Sequence, residues 1–253
     1  MSRYSKARHS KKPKNHFRIL SIFFLLLCVS CIIYISYVYA EAERNRNIYY
    51  NISNIVDNGI KSNAQKVIDL KKENKDIIGW IKIEDTIIDY PILQTNDNNF
   101  YLKHNYKKEK SKYGSIYVKS NCNIKDNNSN IIIYGHNMKD DQMFNCLLKY
   151  QNKEFYDTHQ QINISTENEE NVYTIVSVFK SRVFYQDEKN VFKYYNYTRF
   201  DNEEEYNNYI MNCKKIELYN TGVSAQYGEQ IITLVTCEYS QVNGRMVVIA
   251  KKT

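Results

Sequence analysis

Apolar residues fall into three regimes along this chain. The run Ile19 to Ala40, ILSIFFLLLCVSCIIYISYVYA, holds 22 residues without a charge. A helix of that length spans about 33 Å, enough for the hydrocarbon core of a bilayer. Residues 42–76 then place Ile48, Ile52, Ile55 and Val56, followed by Val67, Ile68 and Leu70, at helical spacing. Gly59 and the polar Lys61-Ser62-Asn63 predict a break between two helices there. From Ile77 the pattern changes to short apolar runs punctuated by Asn, Asp and Gly. IGWIKI (78–83), TIIDYPI (86–92), GSIYV (114–118), NIIIYG (130–135), QINIST (161–166), VYTIVSVFKS (172–181), QIITLVT (230–236) and RMVVIA (245–250) read as strands. Eight short strands with few helices predict a mostly β fold, a closed and largely antiparallel sheet.

One late helix interrupts the strands. Asp201 is its expected N-cap, Glu203–Glu205 fill the first turn, and Lys214–Lys215 follow the end, an order that suits the helix dipole. Tyr206, Tyr209, Ile210 and Cys213 share one face, which should pack on the barrel.

Charge sharpens the topology. The chain of 253 residues carries +7, and residues 1–18 contain seven basic groups and no acidic one. The remainder holds 28 basic against 28 acidic residues, a net charge of zero. A nucleic-acid-binding domain would carry its excess on the folded part, so no nucleic-acid partner is expected. A basic tail before an apolar span instead predicts a cytoplasmic N-terminus, with residues 41–253 outside the cell membrane. A cleaved signal peptide is the rival reading, because Val38-Tyr39-Ala40 resembles a cleavage site. The apolar run exceeds the usual h-region of about 7–15 residues, which favours a retained single-pass anchor. The expected divisions are a tail (1–18), a transmembrane helix (19–40), a helical extension (41–76) and a barrel (77–253).

Of six cysteines, Cys28 and Cys31 lie within the apolar span. Cys122, Cys146, Cys213 and Cys237 lie in the exported part, where disulfides are permitted, yet their spacing suggests neither a metal site nor a dense disulfide framework. Cys146 and Cys213 sit in amphipathic runs that suit buried thiols.

Three places break the monotony: TLVTC at Thr233–Cys237, YGHNM at Tyr134–Met138, and NGR at Asn243–Arg245. A thiol with an ordinary pKa of about 8.5 is only a few per cent thiolate at neutral pH. A permanently charged Arg nearby raises that fraction, and a His can pass a proton to a leaving amine. Taken singly, each residue has an ordinary structural explanation. His104 and His159 lack the Gly-His-Asn setting and read as structural or surface groups.

Together, TLVTC, the upstream YGHNM and the downstream Arg resemble the sortases, membrane-anchored cysteine transpeptidases of Gram-positive bacteria. The likeness extends through ENKDIIGWIKIEDTIIDYPILQ (73–94), NDNNFYLKHN (96–105), KYGSIYV (112–118) and TCEYSQVNGRMVVIAKK (236–252). With the N-terminal helices and the helix after Asp201, it points to class B.

The resemblance implies an eight-stranded sortase-type β-barrel in which Cys237 is the nucleophile, His136 the general acid/base and Arg245 the carbonyl or oxyanion clamp. It implies Asn98, Leu102, Tyr134, Thr236 and Glu238 as candidates to line the substrate groove. Partners would be the C-terminal sorting-signal peptide of a surface protein and an amine of peptidoglycan or its precursor. No cofactor and no metal are expected. Val235 stands where many class B members carry Ser, so that hydroxyl is missing here. An exported cysteine peptidase that only hydrolyses, and a tethered binding protein with an inert barrel, are the competing readings.

Overall fold

The computed structural model describes residues 14–54, 62–126 and 129–253. Outside them lie the basic residues that precede Lys14, then Ile55 and Val56 of the first expected helix, and Gly59 and Lys61 of the expected break. Helix α1 (Lys14–Asn54) runs without interruption through the apolar span and the amphipathic segment behind it. The chain divides into two compact units within this helix, after Asn47. Helix α2 (Asn63–Glu73) starts at an N-cap serine, Ser62, whose side chain accepts from the Gln65 N–H. Its Val67 and Leu70 are buried, and the Lys66 ammonium lies 4.7 Å from the centre of the Trp80 ring.

The eight expected strands are all present: β1 (Ile77–Lys82), β2 (Asp89–Leu93), β3 (Ile116–Val118), β4 (Asn130–Tyr134), β5 (Gln161–Ser165), β6 (Glu170–Arg182), β7 (Ile231–Cys237) and β8 (Gly244–Lys252). They close a barrel in the order β1-β2-β3-β4-β7-β8-β6-β5. Closure removes the exposed edges that an open sheet would leave. Two neighbouring pairs, β2 with β3 and β4 with β7, are parallel, and the others are antiparallel.

Local chemistry moved several boundaries. Thr86 to Ile88 make the β1–β2 turn rather than strand: Asp85 has φ 58°, the Thr86 hydroxyl donates to the Ile83 carbonyl, and the Ile88 N–H donates to the Thr86 hydroxyl. Helix α4 (Glu203–Lys215) is capped by Asn202, not Asp201; the Asn202 side chain accepts from Glu205 N at 2.9 Å. Lys214 and Lys215 are its last residues rather than its successors. The anticipated face is buried, with Tyr206 and Tyr209 beside Phe200 at ring distances of 5.0 and 5.1 Å. Lys214 Nζ donates to the Val176 carbonyl at 2.7 Å, fastening α4 to β6. The amphipathic run around Cys146 forms a 3-10 turn, Asn145–Gln151, while the short helix α3 (Lys153–Thr158) and the 3-10 turn at Tyr194–Asn196 carried no clear periodicity in the sequence.

Candidate active site

The three chemistry-bearing segments meet at one mouth of the barrel because of strand register. Strands β4 and β7 run parallel with Tyr134 opposite Val235, and the ladder continues as Gly135 N–H donates to the Val235 carbonyl at 3.2 Å. His136 and Cys237 each stand two residues beyond that pair, so they leave adjacent strands at matching positions. Strand β8 lies on the other side of β7 and returns antiparallel, with Arg245 directly opposite Cys237. Directly opposed residues of an antiparallel pair project from the same face, about 4.5–5.5 Å apart at Cβ. Cys237 and Arg245 therefore sit on neighbouring strands, and His136 lies just beyond the end of β4 on the other side of β7.

Side chains lock this register. The Thr236 hydroxyl donates to the Gly135 carbonyl at 2.8 Å. The Asn137 amide donates to the Cys237 carbonyl at 2.8 Å, while its oxygen accepts from the Asn145 amide at 2.7 Å. The loop that closes behind His136 is pinned where Phe144 N–H donates to the His136 carbonyl at 2.9 Å. Gly135 has no room for a side chain: a Cβ there would sit 2.6 Å from the Phe144 ring and 2.5 Å from Ile116.

The imidazole is oriented by main chain. His136 Nε2 donates to the Leu102 carbonyl at 2.8 Å. A carbonyl only accepts, so Nε2 carries the hydrogen in the neutral ring and Nδ1 is left for proton exchange. Gly114, at φ +57°, makes that approach feasible: a Cβ on it would lie 2.8 Å from the Leu102 oxygen and 3.1 Å from the His136 ring.

Cysteine environments differ sharply. Cys122, Cys146 and Cys213 are free, buried thiols, and burial pushes all three above the ordinary thiol range. Cys237 is free and only half-buried. Its neighbour Arg245 donates to the Gly244 carbonyl at 2.8 Å and is partly exposed. Tyrosines form the surrounding wall. Tyr117 is pushed up to about 12, first by burial and then by the nearby Cys237, against a lowering influence of Arg245. Tyr134 and Tyr194 are raised by burial and also feel the Arg245 charge. The Tyr117 and Tyr134 rings lie 5.5 Å apart.

The suggested groove residues divide by how their polar atoms are engaged. Leu102 and Tyr134 are half-buried beside His136 and Tyr117. Asn98 is exposed, with its side-chain oxygen accepting from Ser120 N–H at 2.8 Å. Thr236 is buried, its hydroxyl engaged with Gly135. Glu238 is also buried, and its carboxylate accepts from the Ser240 hydroxyl at 2.6 Å and pairs with Lys180 at 3.4 Å. His104 and His159 each stack on a Phe four residues earlier, Phe100 and Phe155, and donate through Nδ1 to its carbonyl. The sequence reading passed over Asn137, Asn145, Gly114, Tyr117 and Tyr194. Only the GHN string hinted at Asn137. Among the described residues no three His, Cys, Asp or Glu gather as a metal site.

A half-exposed thiol on a barrel strand, flanked by imidazole on one side and guanidinium on the other, is the equipment of a cysteine acyl-transfer enzyme. The family model described as "Sortase domain" matches residues 81–253. The chain is 38% identical over 185 residues to sortase B of Listeria monocytogenes, covering 72% of each protein. It is 31% identical over 243 residues to sortase B of Staphylococcus aureus, covering 92% of this chain and 96% of that one. The structure of the S. aureus sortase B–substrate complex superposes with a TM-score of 0.74 at 29% identity, over 85% of this chain and 98% of that one. Sortase B from B. anthracis in complex with AAEK1 gives 0.73 at 32% identity, over 85% and 99%. The chain belongs to the sortase family, in its class B branch, and is a cysteine transpeptidase of the cell-wall sorting type.

Proposed function

We propose that this enzyme cleaves a C-terminal sorting signal after threonine and joins the released surface protein to a peptidoglycan amine. The observation that carries the reading is the register that sets Cys237 opposite Arg245, with His136 leaving the adjacent parallel strand. Cys237 passes its proton to His136 Nδ1, and the resulting thiolate attacks the threonine carbonyl carbon. Negative charge builds on the carbonyl oxygen, where the Arg245 guanidinium stabilises it. As the tetrahedral species collapses, His136 gives its Nδ1 proton to the departing amine, leaving a thioester on Cys237. An incoming amine then attacks the thioester, His136 takes up its proton, and the thiolate returns.

Leu102, Tyr134 and the ring of Tyr117 are the proposed groove walls, with Asn98 at the outer margin. Thr236 and Glu238 act through position, since their polar atoms are already engaged within the protein. The proposed divisions are a tail to residue 18, an anchor over 19–40, a helical extension to 76 and the barrel beyond. The apolar part of α1 is long enough to cross a bilayer. Together with the basic N-terminal residues, this supports a single-pass anchor with the barrel outside.

Incubating the enzyme with a sorting-signal peptide and measuring intact mass tests the scheme. An adduct equal to the acyl fragment is expected on the wild type and absent from Cys237→Ala. Adding an amine should divert product from acid to amide. Product that remains the free acid at saturating amine would instead identify a hydrolase.

A further inference from the structure

The barrel lumen is only partly filled. A cavity of about 430 Å³ is bounded by Ile92 of β2, Val118 of β3, Ile133 of β4, Ile164 of β5, Tyr173 of β6 and Ile232 of β7, with residues of β1 and β8 completing the ring. A void touching all eight strands of a closed sheet lies inside it. It opens at the end opposite the thiol: Ile232 is the second residue of β7 and Cys237 its last, while Arg245 is the second residue of β8 and Lys252 its last.

The chemistry of the lining restricts what could enter. Two polar side chains near its opening, Tyr173 and Gln230, are already paired. The Tyr173 hydroxyl donates to the Gln230 side-chain oxygen at 2.6 Å, and the Gln230 amide donates to the Ile124 and Asp126 carbonyls at 3.1 and 3.0 Å. Thr166, Asn168 and Asn171 add polar groups toward the opening, while the deeper lining is Ile92, Val118, Ile131, Ile133, Ile164 and Ile232, so the deeply inserted part of a ligand must be hydrocarbon. The rim is charged: Lys71, Lys125 and Lys252 against Glu167 and Glu169. Lys71 pairs with Glu167 at 2.8 Å and Lys252 with Glu169 at 3.1 Å. Lys125, exposed on the rim, supplies a surplus of one positive charge. Mouths of small β-barrels are recurrent ligand sites, and this volume falls in their usual range.

We propose that this lumen binds a single-chain monoanionic amphiphile of the fatty-acid class, with its tail among the isoleucines and its carboxylate at Lys125. The site is separate from the thiol chemistry and independent of the proposed sorting reaction.

The test uses the full chain in lipid nanodiscs and dodecanoate carrying a photoreactive diazirine near its methyl end. Adducts mapped by mass spectrometry are expected on peptides containing Ile131–Ile133, Ile164 or Ile232. Unlabelled dodecanoate should suppress them, with dodecylamine at least about tenfold weaker. Ile232→Phe, which fills the void, should abolish labelling while retaining a cooperative melt. Should that variant fail to fold, Lys125→Glu decides. It should weaken dodecanoate competition about tenfold and leave neutral dodecanol competition unchanged. Adducts confined to residues 16–53, or equal suppression by acid and amine, would overturn the proposal.

Discussion

Asn137 donates its side-chain amide to the main-chain carbonyl of Cys237 at 2.8 Å, so the residue following His136 is tied directly to the thiol-bearing residue. The same carboxamide accepts from Asn145 at the start of a 3-10 turn, which fixes which way it faces. Replacing it with alanine removes two hydrogen bonds and leaves the Asn145 amide without its acceptor, a cost of about 1–3 kcal/mol. Asn137→Ala should lower kcat/KM about tenfold through misplacement of the two strand ends. Asn137→Asp keeps the acceptor for Asn145 but loses the donor to Cys237, and should fall comparably. Full activity in the Asp variant, measured by amide formation on a sorting-signal peptide, would show that only the Asn145 bond matters.

Gly114 sets the position of the imidazole through what it lacks. Its φ of +57° disfavours any side chain, and an added Cβ would meet the Tyr101 and Leu102 oxygens at 2.6 and 2.8 Å. Gly114→Ala should cost about 2 kcal/mol or more, read as a lowered denaturation midpoint. The Leu102 carbonyl must retreat, so His136 should lose its orientation. A change in the His136 ring resonances by NMR, with reduced kcat, is the expected signature.

Arg245 is the group for which a charge-conserving substitution is most informative. Lysine supplies the charge but not the planar fork of donors. If Arg245 holds the developing oxyanion, Arg245→Lys should lower kcat about 100-fold with a smaller effect on KM. Near-normal turnover in this variant would reduce its role to that of a local positive charge.

The cap of α4 offers a check on stability alone. Asn202→Ala removes the oxygen that accepts from Glu205 N–H and should cost about 1 kcal/mol by urea denaturation. Asp201→Ala, at an exposed position one residue earlier, should change stability by no more than about 0.5 kcal/mol. The two look equivalent in sequence, as both are good capping residues. Backbone geometry selects Asn202, whose φ and ψ are extended at −153° and 169°.

Much of the barrel was legible because half-buried strands advertise themselves. All eight apolar runs became strands, and TLVTC ends where its ladder to Arg245 ends. Strand order was not legible: nothing local in NIIIYG or QIITLVT says that they pair in parallel, yet that pairing aligns His136 with Cys237. The supporting groups were equally silent. Gly114 and Asn145 act through residues far away in sequence, and an isolated Gly or Asn reads as a turn. Tyr117 and Tyr194 were hidden among 24 tyrosines, distinguishable only once the fold brought them toward Arg245.

Glu238, next to the thiol-bearing residue, gives the turn between β7 and β8 a defined pH response. Burial alone would raise its carboxyl, but the Ser240 hydroxyl, the Ser240 N–H and Lys180 outweigh burial and hold it below the usual carboxylate range. A depressed carboxyl contributes stability that is present above the unfolded-state value, about 4.3, and is lost as pH falls through the folded one. Unfolding midpoints of the wild type and Glu238→Gln should therefore differ most at neutral pH and converge as pH falls below the unfolded-state value. Because the Glu238 N–H also donates to the Gly244 carbonyl beside Arg245, loosening this turn should weaken the Cys237–Arg245 register as well. Glu238→Gln should thus lose turnover together with stability at pH 7. A gap between the two proteins that stays constant down to pH 3 would assign Glu238 a packing role and remove its charge from the account.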